Sequence, residues 1–228
     1  MLAAFLWLVG AEQALAAAPS FPCVGRLTRT ETLICGDAEL SAYDRAMALA
    51  YAHELRPTDW SLAKQRDWIA KRNRCAVDRA CVLDAYRGWI ASLDPFGDDN
   101  LPKLTRKDTP PNGDDLMLGM LQSPTGRVTP TGDIADLIMQ PVGGGWYLFV
   151  VTSQHFYDPH DGRGANFSDA EQVGVVRLAN GKARWRDADA YNPEPCSIDF
   201  TRLPKGGWML QENGTCGGIG AMVDGVYR

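Results

Sequence analysis

The sequence predicts an α+β protein, in which a disulfide-braced helical N-terminal domain precedes an antiparallel β domain, a small sandwich or barrel. Three observations lead to this prediction. Apolar residues recur at three- and four-residue steps between residues 30 and 93, which is typical of amphipathic helices. After residue 115 short β-like runs alternate with glycine, asparagine and proline. Six cysteines, an even number, follow an N-terminal export signal, which favours disulfides over free thiols.

The N-terminus has the pattern of a secretory signal peptide, which we assign to residues 1–18. An apolar run of the length of an h-region precedes Ala14-Leu15-Ala16, so signal peptidase is expected to cleave after about Ala16. The run lacks the preceding Lys or Arg of an n-region, which a start site placed too far downstream would explain. A lipid anchor at Cys23 is not expected, because Pro22 replaces the usual small residue. We therefore predict a released, soluble protein in the periplasm or secreted from the cell.

The composition bears on the class of partner. The chain has 228 residues and a formal net charge of −5. An acidic chain is a poor match for nucleic acid, whose readers carry basic patches, and for anionic membrane surfaces. It would instead encounter a basic protein more readily. We expect no nucleic-acid partner and no membrane insertion after signal removal.

Three helices are expected in the N-terminal domain, residues 19–94. Each begins at a residue type that commonly caps a helix: Asp37 for the first, Thr58 or Asp59 for the second and Asp78 for the third. The second helix is expected to end at about Arg74. So small a bundle needs additional stabilisation, which two disulfides would supply.

Residues 95–115 are rich in proline, glycine and charge, which indicates a linker. The β domain, residues 116–228, should contain six to eight strands. Three hairpins are predicted within it, with turns at residues 141–145, at Asn180-Gly181 and at residues 204–207. The expected strand pairs are 134–140 with 146–153, 172–178 with 183–186, and 198–203 with 208–212.

The cysteines form two groups. Cys196 and Cys216 bracket the last hairpin, so a bond between them is predicted. The other four allow three pairings. If the first two helices are antiparallel, the ends of these helices that carry cysteines lie together, which favours Cys35 with Cys75 and Cys23 with Cys81. No C-x-x-C pair is present, so a zinc site is not expected.

The polar segment 155–162 is placed in a loop between two strands. Its two histidines and two aspartates could hold a divalent metal, present aromatic side chains to a partner, or form a plain turn. Residues 187–194 contain several acidic side chains but lack the glycine and spacing of an EF-hand, so we interpret them as a solvated loop. The candidate binding residues, chosen for expected exposure, are His155, His160, Arg163 and Lys205.

Fifteen residues between positions 21 and 93 form a pattern in which four cysteines are combined with a Gln-Arg-x-Trp segment ahead of the third cysteine. They are Cys23, Glu31, Ile34, Cys35, Leu40, Asp44, Tyr51, Gln65, Arg66, Trp68, Arg72, Cys75, Cys81, Tyr86 and Leu93. Over residues 21–93 this pattern resembles the LprI-like family of bacterial exported proteins. The family takes its name from a lysozyme inhibitor, so the resemblance implies a four-cysteine helical domain and a binding role. Trp89 departs from the family pattern, which usually has a basic residue at this position. Most matched positions look structural, and an ion pair between Asp44 and Arg66 is one such expectation. Residues 216–227 also resemble the β tail of some members.

No motif for catalysis, cofactor binding or a catalytic metal is present, so the protein is not expected to be an enzyme. The first functional hypothesis is an exported binding protein that inhibits a lysozyme-type cell-wall hydrolase. The alternative is an envelope or stress-related interaction protein with no inhibitory activity, in which the β domain binds another ligand. A stable complex with lysozyme would distinguish the first hypothesis from the second.

Overall fold

Four α-helices lie in the described residues of the N-terminal part of the chain. They are α1 (Arg29–Gly36), α2 (Ala38–His53), α3 (Asp59–Arg74) and α4 (Arg79–Ser92). The computed structural model describes residues 17–53, 59–93, 104–105, 134–157, 166–187, 194–214, 216 and 223–228. Residues 1–16 of the expected signal peptide, the cap candidate Thr58 and most of the expected linker lie outside these residues.

Local capping fixes where the helices begin. Asp37 Oδ1 accepts the backbone N–H groups of Glu39 and Leu40 at 2.9 and 3.0 Å. Asp78 Oδ1 accepts the N–H of Cys81 at 3.1 Å, so two of the three predicted caps, Asp37 and Asp78, are confirmed. The additional helix α1 begins at a capping box, in which Thr28 and Glu31 each bond the other's backbone N–H. The prediction of three helices is therefore wrong by one, because this short helix ends at the Asp37 cap of the next.

Eight strands of the described residues form two antiparallel sheets. The first sheet has the order β1-β2-β3-β4 and the second the order β5-β6-β7-β8. The strands of the first are β1 (Leu104–Thr105), β2 (Ile134–Gly143), β3 (Trp146–Tyr157) and β4 (Asn166–Arg177). Those of the second are β5 (Lys182–Arg186), β6 (Ser197–Arg202), β7 (Trp208–Glu212) and β8 (Gly225–Tyr227). Strand β1 lies within the segment that the sequence assigns to a linker.

The molecule has three layers, with the first sheet in the middle. Leu148 and Val175 point to the helices and belong to the same buried cluster as Leu40 and Ile90. The neighbouring Phe149 points to the opposite face, where it packs in the core between the two sheets. Successive residues of a strand face opposite sides, so an uninterrupted apolar run in β3 buries both faces. The predicted α+β class is confirmed, and the β part is a sandwich with no closed barrel among the described strands.

The Asn180-Gly181 turn joins the two sheets instead of forming a hairpin. Both residues have positive φ, 52° and 76°, and Ala179 and Lys182 exchange backbone hydrogen bonds across the turn. Pairing stops at this single bridge, because β4 pairs with β3 and β5 pairs with β6. The predicted hairpin is therefore wrong, although the turn is present. The hairpins around residues 141–145 and 204–207 are confirmed.

Candidate functional site

The disulfides of the helical part close short local segments. Cys23 bonds to Cys35 and Cys75 bonds to Cys81, with Cα separations of 5.8 and 5.6 Å. The predicted pairs Cys35–Cys75 and Cys23–Cys81 are therefore wrong. The prediction placed Cys35 at the start of the first long helix, whereas it lies near the end of the separate helix α1. There it is paired with the segment that leads into that helix.

The bond between Cys196 and Cys216 is confirmed, with a Cα separation of 4.6 Å. It joins the entry to β6 with the segment that follows β7, as the bracketing of the last hairpin predicts. All six cysteines are thus in disulfides.

Helix α1 lies across the turn between α3 and α4. The Thr30 hydroxyl donates to the Asn73 carbonyl near the end of α3, at 3.2 Å. At the other end of α1, Arg79 of α4 pairs with Asp37 at 2.7 Å and also with Glu39. These contacts gather both disulfides of the helical part at one end of the layer. We call this region, residues 23–37 and 75–81, the disulfide end.

The ion pairs of the disulfide end affect its titration. Burial alone would raise the pKa of the Asp37 carboxyl, but hydrogen bonds from Arg79, Leu40 and Glu39 hold it below its usual range. The pKa of Glu31 is also low, chiefly because its carboxylate accepts the backbone N–H of Thr28. Both carboxylates therefore stay ionised at neutral pH, where Asp37 ties α1 to Arg79 of α4 and Glu31 holds the capping box at the start of α1.

Two valines are exposed at the disulfide end. Val24 follows Cys23 and is 76% exposed, and Val77 lies inside the Cys75–Cys81 segment and is 67% exposed. Ala76, which precedes Val77, has a φ of 51°, in the left-handed region that costs a residue with a side chain about 1–2 kcal/mol. The disulfide and the hydrogen bond from the Asp78 N–H to the Cys75 carbonyl, 2.9 Å, surround this residue. Val77 is thus presented on a short, constrained turn.

A buried polar network supports the helices behind this end. The Tyr86 hydroxyl donates to Asp44 Oδ1 at 2.6 Å, and Arg72 donates to the same hydroxyl at 2.9 Å. Ser20 donates both its N–H and its hydroxyl to Asp44 Oδ2, each at 2.6 Å. Arg72 and Asp44 are themselves 3.4 Å apart, with side chains 5% and 1% exposed. Burial, and then the charge of Asp44, raise the pKa of Tyr86 far above its ordinary value. Asp44, Arg72 and Tyr86 are buried, so the role of the network is to fix helix geometry.

The network corrects one expectation and explains the departure at Trp89. Arg66 is exposed on α3, so the predicted Asp44–Arg66 pair is wrong, and Arg72 takes that place. Trp89 stacks on Trp68 with ring centroids 5.7 Å apart, and its indole N–H donates to the Gln65 side chain at 2.8 Å. Trp89 therefore packs within the helical layer.

The four candidate binding residues are not brought together by the described structure. His155 lies in strand β3, opposite Ser168 of β4, so its placement in a loop is wrong: the strand continues to Tyr157. Lys205 is exposed in the turn between β6 and β7. His160 and Arg163 lie outside the described residues. None of the four belongs to the disulfide end, whose arginines and valines the sequence analysis did not select.

Metal sites and membrane-spanning helices are both absent from the described ranges. They contain no cluster of three or more His, Cys, Asp or Glu side chains placed to hold a metal ion. No helix among them has the length and apolar character needed to cross a membrane.

The comparisons with known proteins found one distant likeness. The chain is 32% identical over 82 residues to lipoprotein LprI of Mycobacterium tuberculosis and to that of Mycobacterium bovis. The match covers 34% of this chain, and it spans 42% of the length of those relatives. No protein-family model and no solved structure matches. The chain is therefore similar to LprI over about a third of its length, which supports a distant LprI-like relationship.

Proposed function

We propose that this is an exported binding protein that inhibits a lysozyme-type cell-wall hydrolase by inserting its disulfide end into the enzyme's cleft. The distant similarity to LprI supports a binding or inhibitory role. The observation that carries the choice of surface is Val77, two-thirds exposed on a turn closed by a disulfide. The proposal includes no chemistry of the protein's own.

A constrained turn suits this task because binding orders the groups that make contact. Loops that are already ordered lose less conformational entropy on binding, which leaves more of the contact energy as affinity. The Cys75–Cys81 bond closes a segment with a sequence separation of 6, and Cys23–Cys35 one of 12. Both valines belong to segments that are ordered before the partner arrives.

Exposed arginines at the disulfide end suit an acidic cleft, whereas its carboxylates Glu31, Asp37 and Asp78 are engaged in helix caps and an ion pair. Glycoside hydrolases of the lysozyme type act through a pair of carboxyl groups at the scissile bond. Arg26, Arg29 and Arg74 are exposed and belong to, or directly adjoin, the segments that form this end. The net charge of −5 would steer the whole molecule toward a basic enzyme, while these arginines would face the carboxylates locally.

Three disulfides are consistent with a location outside the cytoplasm, where thiols are readily oxidised. We propose the periplasm or the extracellular space as the site of action. Cys23 is bonded to Cys35, so its sulfur is engaged within the fold.

The test is a turbidity assay of cell-wall lysis by lysozymes of several classes, with the purified mature protein in several-fold molar excess. We expect inhibition that weakens between low and moderate salt, because exposed charges are screened beyond about 10 Å at 0.1 M ionic strength. Val77→Asp should abolish inhibition, since it places a carboxylate against the acidic cleft. The matched control is Leu62→Asp, an exposed apolar residue near the start of α3, about 20 Å along the helices from Val77 at 1.5 Å per residue.

Three results discriminate between the hypotheses. Inhibition by the native protein and by Leu62→Asp, but not by Val77→Asp, supports the proposed surface. Loss of inhibition in Lys205→Ala instead would move the site to the β6–β7 turn. Failure to inhibit any lysozyme, together with no complex on size exclusion, would favour the alternative, an envelope or stress-related interaction protein with no inhibitory activity.

A further inference from the structure

A cleft separates the helical layer from the strands that connect the two sheets. Its volume is about 320 Å³, at the lower end of the range typical of small-molecule sites. One wall is a single face of α4, formed by residues spaced three and four apart: Asp84, Arg87, Gly88 and Ala91. The other wall comes from β4, β5 and the residue after β5. The cleft is distinct from the disulfide end.

The helix wall carries a donor and an acceptor side by side. Arg87 Nη1 lies 3.7 Å from Asp84 Oδ1, and both side chains remain more than a third exposed. Arg87 Nε also donates to the Tyr43 hydroxyl at 3.4 Å, with its guanidinium over the tyrosine ring. This arrangement orients the guanidinium and leaves donors and acceptors available to a ligand.

The strand wall provides an aromatic ring with a second pair of charges. Trp185 packs edge-to-face on Phe149 with ring centroids 5.4 Å apart. A Cβ at Gly174 would lie 2.3 Å from Trp185 Nε1, so the absence of a side chain there lets the indole lie against β4. Arg186 and Asp187, both exposed, follow Trp185 and also line the cleft.

Gly88 leaves open space in the cleft, and the packing of the protein does not require a glycine at this position. Glycine in a helix interior is destabilising relative to alanine. Here a Cβ would meet no atom within 4 Å, and the backbone does not have positive φ. Neither neighbouring atoms nor backbone conformation therefore requires glycine, whereas a larger side chain would fill the cleft.

We propose that this cleft binds a neutral, hydroxyl-rich ring, as in a short saccharide. Each wall has one guanidinium and one carboxylate, so a ligand with a single full charge meets both signs and gains little. Hydroxyl groups donate and accept, so they can bond carboxylates and guanidinium groups alike. The partly exposed indole offers an apolar face for the C–H side of a sugar ring.

The experiment titrates the full chain with chitotriose and, separately, with maltotriose at millimolar concentration, followed by amide chemical shifts in NMR. We expect saturable shifts at Gly88, Gly174 and Trp185 with at least one of them. Gly88→Leu should weaken binding at least tenfold without lowering the unfolding temperature. The matched control Gly36→Leu, at a second helical glycine with open space that does not line the cleft, should leave binding unchanged.

Saturable shifts with both trisaccharides would indicate a general site for sugar rings. Shifts with chitotriose alone would indicate a site that recognises the acetamido group. The proposal is overturned if neither trisaccharide binds or if Gly88→Leu binds as well as the native protein. It is also overturned if the free amino acid glycine or citrate changes the amide chemical shifts of these residues and the sugars do not. Lysozyme inhibition should be the same in Gly88→Leu and the native protein. The failure of either proposal therefore leaves the other intact.

Discussion

The helical layer and the β sandwich are held together in different ways. Of the five buried polar side chains in the described structure, four lie in the helical part, Thr30, Ser41, Asp44 and Arg72, and only Ser153 lies in a sheet. The core between the sheets is apolar and aromatic. Helices satisfy their backbone groups internally, so directional side-chain bonds must fix how they are arranged. Strands are already positioned by the hydrogen bonds between neighbouring strands. The core of the sandwich therefore needs only apolar side chains that fill its volume well.

The strongest test of this contrast changes polarity in the helical layer at constant volume. Asp44→Asn should lower the free energy of unfolding by about 3–5 kcal/mol, because it leaves the Arg72 charge buried without its carboxylate. Chemical denaturation measures it. The control Asp67→Asn, on the exposed side of α3, should stay within about 0.5 kcal/mol. Equal small effects from both would mean that the network is not what orders the helices.

The second test changes volume in the sandwich. Leu210 is 1% exposed in the core between the sheets. Leu210→Ala should cost about 2–5 kcal/mol through lost burial and the cavity left behind. Its neighbour Met209 is only partly buried, so Met209→Ala should cost less in the same denaturation experiment. A larger loss at Met209 than at Leu210 would contradict the packing described here.

The smallest effect concerns a carboxyl of the sandwich whose titration is shifted into the neutral range. Burial, together with the nearby Asp224, raises the pKa of Glu212 to about 7. In the unfolded chain the pKa of a glutamate is near 4.3. Between about pH 4.3 and 7 the folded protein therefore holds a proton on Glu212 that the unfolded chain has lost. The stabilising contribution is therefore complete at low pH and is lost as the pH rises through 7.

Glu212→Gln, which mimics the protonated form, should flatten the fall in unfolding temperature across this window. Unfolding temperatures measured from about pH 4.5 to 8 check this, with Asp67→Asn, which removes a carboxyl group on the exposed side of α3, as the control. An identical slope in the Glu212→Gln variant and in the native protein would show that Glu212 titrates normally.

Local signals in the sequence were sufficient for much of the fold. The caps at Asp37 and Asp78 act within three residues, and the two glycine-rich turns define their hairpins. The capping box at Thr28 and Glu31 was equally readable, and it would have revealed α1. The hairpin predicted at Asn180-Gly181 is wrong because the turn residues determine only that the chain reverses direction. Which strands pair with β4 and β5 depends on the two sheets to which they belong.

Other features of the fold depend on contacts between elements. The run from Leu148 to Val151 has no polar alternate, which is typical of a strand covered on both faces and indicates a third layer. Arg72 lies four residues after Trp68, so the two share the buried face of α3, whereas Arg66 does not. This spacing would have identified the partner of Asp44. The disulfide pairs and the cleft depend on how α1 and β5 are placed, which no local pattern specifies.

The hydrogen bonds from Ser20 to Asp44 have a consequence for maturation of the protein. Residues 17–20 follow the expected cleavage point directly, and Ala17 is buried beside Gly143. A cut after about Ala16 would keep both contacts, whereas trimming past Ser20 would remove two donors from a buried carboxylate. After such a cut, residues 17–20 would be both the N-terminus and a structural part of the helical layer. Accurate cleavage and correct folding would then be coupled, and a chain cut past Ser20 would be less stable and more easily degraded.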